Sequence, residues 1–214
     1  MSAQKETLPP LVDEAGDREP KDDGRREREE ALPPGELERL REAANEIKTE
    51  ANRKFAEGDF PTAARLYTKA LDKCPLKFRT DHSVLLSNRA AAHIKMQKWK
   101  EAIEDATAAI ERGAPNEKSL ERRAFAAAQS DDTLDKALED YRELRRQFPA
   151  CQRYSEQIGV LEKRQKSRNE RLQKEMLGQL KNLGDMCLRP FGLSTDNFAM
   201  VEKPGGGYSI EIKK

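Results

Sequence analysis

Lys48, Asn52, Asn88, Lys118 and Arg122 are the residues of this 214-residue chain whose types and spacing could do chemistry. Lys48 and Asn52 are four apart, as are Lys118 and Arg122, so on a helix each pair shares one face. Asn88 lies between the pairs in sequence. Gathered on one surface, the five make a cluster of cations and neutral amides with no acid in it. Asparagine offers N–H donors without adding charge, lysine a flexible ammonium, and arginine a planar fork that meets a carboxylate with two parallel hydrogen bonds. Such a cluster suits the end of a peptide that carries two carboxylates. That is recognition rather than catalysis.

Helices must position these side chains, and the pattern of alanines supplies them. Ala51, Ala63, Ala70 and Pro75 form a ladder with steps of 12, 7 and 5; Ala90, Ala102, Ala109 and Pro115 repeat it with steps of 12, 7 and 6; Ala124, Ala137, Leu144 and Pro149 repeat it with steps of 13, 7 and 5. Two antiparallel helices pack closely only where small residues let their backbones approach, and a proline beyond the second helix stops it. Gly58-Asp59-Phe60, Gln97-Lys98-Trp99 and Asp131 to Leu134 fall where the chain must turn between the helices of each pair. A repeat near 34 residues that cannot bury its own apolar face must stack on its neighbours and needs a cap at the end.

The sequence therefore predicts a disordered segment over 1–35 and a repeat domain over 36–149, with repeats about 44–77, 83–116 and 117–150. A capping helix over 150–185 and a small tail over 186–214 follow. The first segment mixes Asp, Glu, Arg and Pro with few apolar positions, too few to offset the entropy of ordering it. Phe78 to His82 reads as an insertion between the first two repeats. Within the capping helix Leu172, Met176, Leu180 and Leu183 make an apolar stripe, whereas Glu162 to Arg171 is almost wholly polar. Beyond it, Phe198 and Met200 before Pro204-Gly205-Gly206-Gly207, with Tyr208, Ile210 and Ile212 after it, alternate as in a short β-hairpin. A lone hairpin is marginal, so Phe198, Tyr208 and Ile210 are expected to pack on the stripe. The other reading leaves that face open for a second partner.

Composition excludes several classes. Forty basic against thirty-nine acidic residues give a net charge of +1, with no concentrated basic face for nucleic acid or an anionic membrane. Three widely spaced cysteines, Cys74, Cys151 and Cys187, form neither a disulfide framework nor a zinc site. The two histidines, His82 and His93, read as a residue of the insertion and a packing residue, and no nucleotide-binding, nucleophile-elbow or metalloprotease motif occurs. No enzyme activity, cofactor or metal is expected. With no apolar run long enough to span a bilayer and no leader-like start, the chain reads as cytoplasmic.

The ladders resemble the tetratricopeptide repeat, and the five-residue set resembles the two-carboxylate clamp of co-chaperones of that family at every position. Leu86-Ser87-Asn88-Arg89, Arg168 to Leu172 with Glu175 to Gly178, and Leu188-Arg189-Pro190-Phe191-Gly192-Leu193-Ser194-Thr195 sharpen the likeness. The resemblance implies an all-α solenoid of three helix–turn–helix repeats whose first helices line a concave face, with a long C-terminal capping helix and a β-hairpin-like tail. It further implies that Lys48, Asn52, Asn88, Lys118 and Arg122 hold the C-terminal aspartate of the Glu-Glu-Val-Asp tail of heat shock protein 90 or heat shock protein 70. The competing reading is a scaffold for signalling proteins that uses the convex face or the C-terminal tail.

Overall fold

A computed structural model of the chain describes residues 24–113, 117–202 and 208–212, the side chains of 199–202 and 208–212 excepted. Described contacts divide it into two compact units, parting after Ile158.

The first unit is built of antiparallel helix pairs: α2 (Pro34–Ala56) with α3 (Phe60–Lys73), α4 (Arg79–Lys95) with α5 (Trp99–Arg112), and α6 (Glu117–Ala127) with α7 (Leu134–Gln147). The ladder residues Ala51, Ala63, Ala70, Ala90, Ala102, Ala109, Ala124, Ala137 and Leu144 are all fully buried. Each marks a crossing where one helix backbone lies against the next. Leu144 takes the place of a third-rung alanine without opening the packing. Pro34 starts α2, where its missing N–H leaves no hydrogen bond unmade. Gly58, with φ at 85°, ends it in the left-handed conformation, and the Asp59 carboxylate then caps α3 by accepting the Thr62 N–H at 3.2 Å. At the matching turn before α5, Gln97 takes φ at 60° with a side chain attached.

Two expectations need correction here. The segment 1–35 is not wholly disordered, since α1 (Arg25–Glu30) is helical and α2 already begins at Pro34; residues 1–23 lie outside the description. Arg25 donates to the carbonyls of Leu71, Asp72 and Cys74 at 3.3, 2.9 and 2.6 Å, and Glu29 accepts the Leu76 N–H at 2.6 Å. The three carbonyls belong to the last turn and C-cap of α3, where acceptors lack partners within the helix, and the Leu76 N–H is a donor just beyond it. A second correction concerns Phe78 to His82, expected as an insertion between repeats. Phe78 is the N-cap of α4 and Arg79 to His82 are its first turn. His82 is buried there, its Nε2 2.9 Å from the Cys74 carbonyl and its Nδ1 3.2 Å from an Arg112 guanidinium N–H.

The apolar stripe lies on the C-terminal helix. Helix α8 runs from Gln152 to Leu188. Its first turns bury Tyr154 and Ile158 in the first unit. In the second unit Leu172, Met176, Leu180 and Leu183 are 45%, 69%, 65% and 57% exposed, with no cover from the described residues. The chain instead folds back onto the end of α8 through polar contacts. Asp185 accepts the Thr195 N–H and Oγ1–H at 2.5 and 2.7 Å, and Lys181 pairs with Asp196 at 2.8 Å. The backbones of β1 (Phe198–Glu202) and β2 (Tyr208–Ile212) pair antiparallel, with Met200 opposite Ile210. The turn expected at Pro204 to Gly207 and the side chains of Tyr208 and Ile210 fall outside the described residues.

Candidate functional site

The first helices of the three pairs carry all five residues: Lys48 and Asn52 on α2, Asn88 on α4, Lys118 and Arg122 on α6. Asn52 and Asn88 meet across the helices, Asn88 Nδ2 standing 3.4 Å from Asn52 Oδ1. The same oxygen accepts the Tyr67 hydroxyl at 2.7 Å. With its carbonyl oxygen held twice, Asn52 has its NH₂ group left to donate elsewhere. Arg122 reaches α4 one residue before Asn88, donating from Nη1 to the Ser87 carbonyl at 2.7 Å and to Ser87 Oγ at 2.5 Å. Ser119 Oγ donates to the same hydroxyl at 2.8 Å, which fixes Ser87 from a second side.

The two lysines are held more loosely. Lys48 is half-buried and donates to Asn45 Oδ1 at 2.6 Å, and Lys118 is exposed. The structure thus brings Asn52, Asn88 and Arg122 into one bonded neighbourhood. It leaves Lys48 and Lys118 one helical turn away on the same faces.

Charge distinguishes Arg122 from its neighbours. Arg89 is buried and paired with Asp105 at 2.6 and 2.9 Å. Arg123 is paired with Asp140 at 2.8 Å through two contacts. Both pairs tie the first helix of a repeat to its second. Arg122 is also largely sunk, and burial lowers its pKa from the ordinary value, with the Tyr67 phenol and Glu121 opposing. Yet among the described residues it meets no carboxylate at ion-pair distance, since Glu121 is taken by Arg153. Burial in turn raises the Tyr67 pKa while the Arg122 charge pulls it down, so the phenol and the guanidinium share one field.

Sequence reasoning missed Tyr67, Ser87 and Ser119. Tyr67 lies four residues after the ladder alanine Ala63 and so reads as core, which it also is, at 2% exposed. Its hydroxyl carries the second role, and no spacing reveals where a hydroxyl points. The serines have no sequence signal beyond adjacency to Asn88 and Lys118.

Three stacked helix pairs with a polar, cation-bearing face on their first helices have the fold of a tetratricopeptide-repeat solenoid, and solved structures carry that assignment. The second TPR domain of human RPAP3, determined in complex with the HSP70 peptide SGPTIEEVD, has a TM-score of 0.50 at 26% identity, covering 56% of this chain and 94% of that one. The first TPR of Spaghetti (RPAP3), bound to the HSP90 peptide SRMEEVD, has a TM-score of 0.50 at 25% identity, covering 56% and 90%. Among curated proteins, human mitochondrial import receptor subunit TOM70 is 38% identical over 97 residues, 45% of this chain. The match spans only 16% of the length of that relative. No family model matches the chain. Among the described residues no helix is long and apolar enough to cross a membrane.

Proposed function

We propose that α2, α4 and α6 form a two-carboxylate clamp for the C-terminal aspartate of a Glu-Glu-Val-Asp tail, as carried by heat shock protein 90 or heat shock protein 70. The chain is then a non-enzymatic, cytoplasmic adaptor of the co-chaperone kind. The observation that carries this reading is the state of Arg122. A sunken guanidinium whose hydrogen bonds among the described residues go to a serine, with no carboxylate at ion-pair distance, is a cation short of its counter-charge, and burying charge is tolerable only when it is paired. A carboxylate arriving from a ligand completes it. Arg122 supplies the fork, Asn52 and Asn88 the neutral donors, and Lys48 and Lys118 the mobile cations that reach the chain end. The peptides bound by the two RPAP3 domains end in the same Glu-Val-Asp sequence.

The test is titration with a synthetic peptide ending in Glu-Glu-Val-Asp, beside the same peptide with its C-terminus amidated. Charge-assisted hydrogen bonds contribute roughly 1.5–3 kcal/mol each, so after ordering costs the acid should bind near the micromolar range. Amidation should abolish most of that, and Arg122→Ala should weaken binding at least tenfold while the fold persists. Equal binding of acid and amide refutes the clamp. The likeness of Leu188 to Thr195 and of Arg168 to Gly178 to tetratricopeptide repeat protein 1 supports a finer placement within the family.

One observation favours a second role beside the clamp. The open stripe on α8, with Leu177 and Met186 also exposed, suits a scaffold that holds another protein through its C-terminal part. Slow hydrogen exchange at Ser209 to Ile212 in the isolated chain would argue against that role.

A further inference from the structure

Helix α6 carries two acids among the clamp cations: Glu117 beside Lys118, and Glu121 between Lys118 and Arg122. Glu121 is three residues from Lys118, a spacing at which opposite charges pair along one helix face. It also acts on Arg122, whose pKa it raises against the effect of burial. Left alone, it is an internal competitor for the cations that a peptide carboxylate needs.

The first turn of α8 takes both acids. Arg153 Nη2 donates to Glu121 Oε1, and the Tyr154 hydroxyl donates to Glu117 Oε1 at 2.7 Å. The Arg153 guanidinium lies 5.6 Å from the centre of the Tyr154 ring. Tyr154 is buried against Tyr141, with ring centres 6.3 Å apart, so the ring is fixed and the guanidinium beside it has a defined place.

We infer that Arg153 is a positioning residue of the peptide site: by holding Glu121 it keeps Lys118 and Arg122 available to an incoming carboxylate and removes a negative charge from the edge of the clamp. This rests on the clamp reading above. It adds to that reading a residue of the capping helix, outside all three repeats, that sets the strength of the site without touching the ligand. Lys118 is exposed and in no ion pair among the described residues, although Glu121 lies one turn away on its own helix. That is the arrangement sequestration produces.

The experiment uses the full chain and a synthetic peptide ending in Glu-Glu-Val-Asp, with circular dichroism melting as the control for folding. Arg153→Ala should weaken binding about five- to tenfold, mainly in the association rate, and the loss should shrink at high salt. Adding Glu121→Gln to that variant should restore affinity to within about twofold of Glu121→Gln alone, and Arg153→Lys should keep most of it. A merely structural role predicts no rescue by Glu121→Gln, so an unrescued double variant overturns the inference. So does an Arg153→Ala variant that binds as the parent does while Arg122→Ala binds weakly. If the parent chain binds no such peptide, the clamp reading falls and this inference with it.

Discussion

Removing the Asp105 carboxylate should be among the most damaging single changes the first unit can suffer. Asp105 and Arg89 have side chains 6% and 3% exposed and meet through two contacts of 2.6 and 2.9 Å. His93 Nδ1 lies 3.1 Å from the same carboxylate, and Arg89 also donates to Thr68 Oγ1 at 2.9 Å. Asp105→Ala takes away the counter-charge of a buried guanidinium, for which losses of about 3–5 kcal/mol are typical. A domain of this size has about 5–15 kcal/mol in all, and each kcal/mol shifts its melting temperature by roughly 3–5 °C. The expected fall in Tm is therefore on the order of 10–20 °C, read by circular dichroism and matched by urea unfolding at constant slope. The double change Arg89→Leu with Asp105→Leu separates charge from packing. It should recover most of the loss, because an apolar pair of similar volume is often as stable as a buried ion pair. The first repeat has no such ion pair, carrying Leu66 where the second and third have Asp105 and Asp140, and Glu50 where they have Arg89 and Arg123. A loss below about 1 kcal/mol for Asp105→Ala, or a double variant no better than the single, would refute the reasoning.

Tyr67→Phe should weaken peptide binding about fivefold, since Asn52 loses a hydroxyl that orients its amide and one such hydrogen bond is worth about 1 kcal/mol; unchanged affinity by calorimetry would show that the amide orients itself. His82 is buried and its pKa is lowered, chiefly by desolvation, so its neutral form stabilises the fold. That contribution is complete above the unfolded-state pKa near 6.5 and is lost as pH falls from there towards the lower folded value. Urea midpoints should drop between pH 7 and pH 5, and less steeply in His82→Gln. Gln97→Gly should raise stability by about 0.5–1 kcal/mol, because a residue with a Cβ now occupies a left-handed position; a lower urea midpoint would count against it.

The parts of the fold that were legible are those governed by close approach. A helix crossing admits only small side chains, so Ala51, Ala90 and Ala124 announce the first helices and Ala63, Ala102 and Ala137 the second. Site residues placed on helices were legible for the same reason, as spacing becomes a face. Other features hang on partners that leave no pattern. Arg25 binds backbone carbonyls of Leu71, Asp72 and Cys74, and a carbonyl looks alike in every sequence. Asp105 and Asp140 stand 16 and 17 residues after their arginines in a chain that is 37% charged, where such pairs are hidden by their abundance. The α8 stripe was legible as an apolar face, but such a face says that it wants cover and not where the cover comes from.

The buried ion pairs carry a mechanical consequence. In a stack of repeats each unit is held by its own two helices and by its neighbours. Arg89–Asp105 and Arg123–Asp140 bolt the second and third units internally, while the first has Leu66 at that point and, outside the pair, the Arg25 clip at the end of α3. Opening should therefore begin at the first unit, and Lys48 and Asn52 travel with it. On warming, the capacity to hold a peptide end should fade some degrees before the helices melt, so that loss of grip precedes loss of shape.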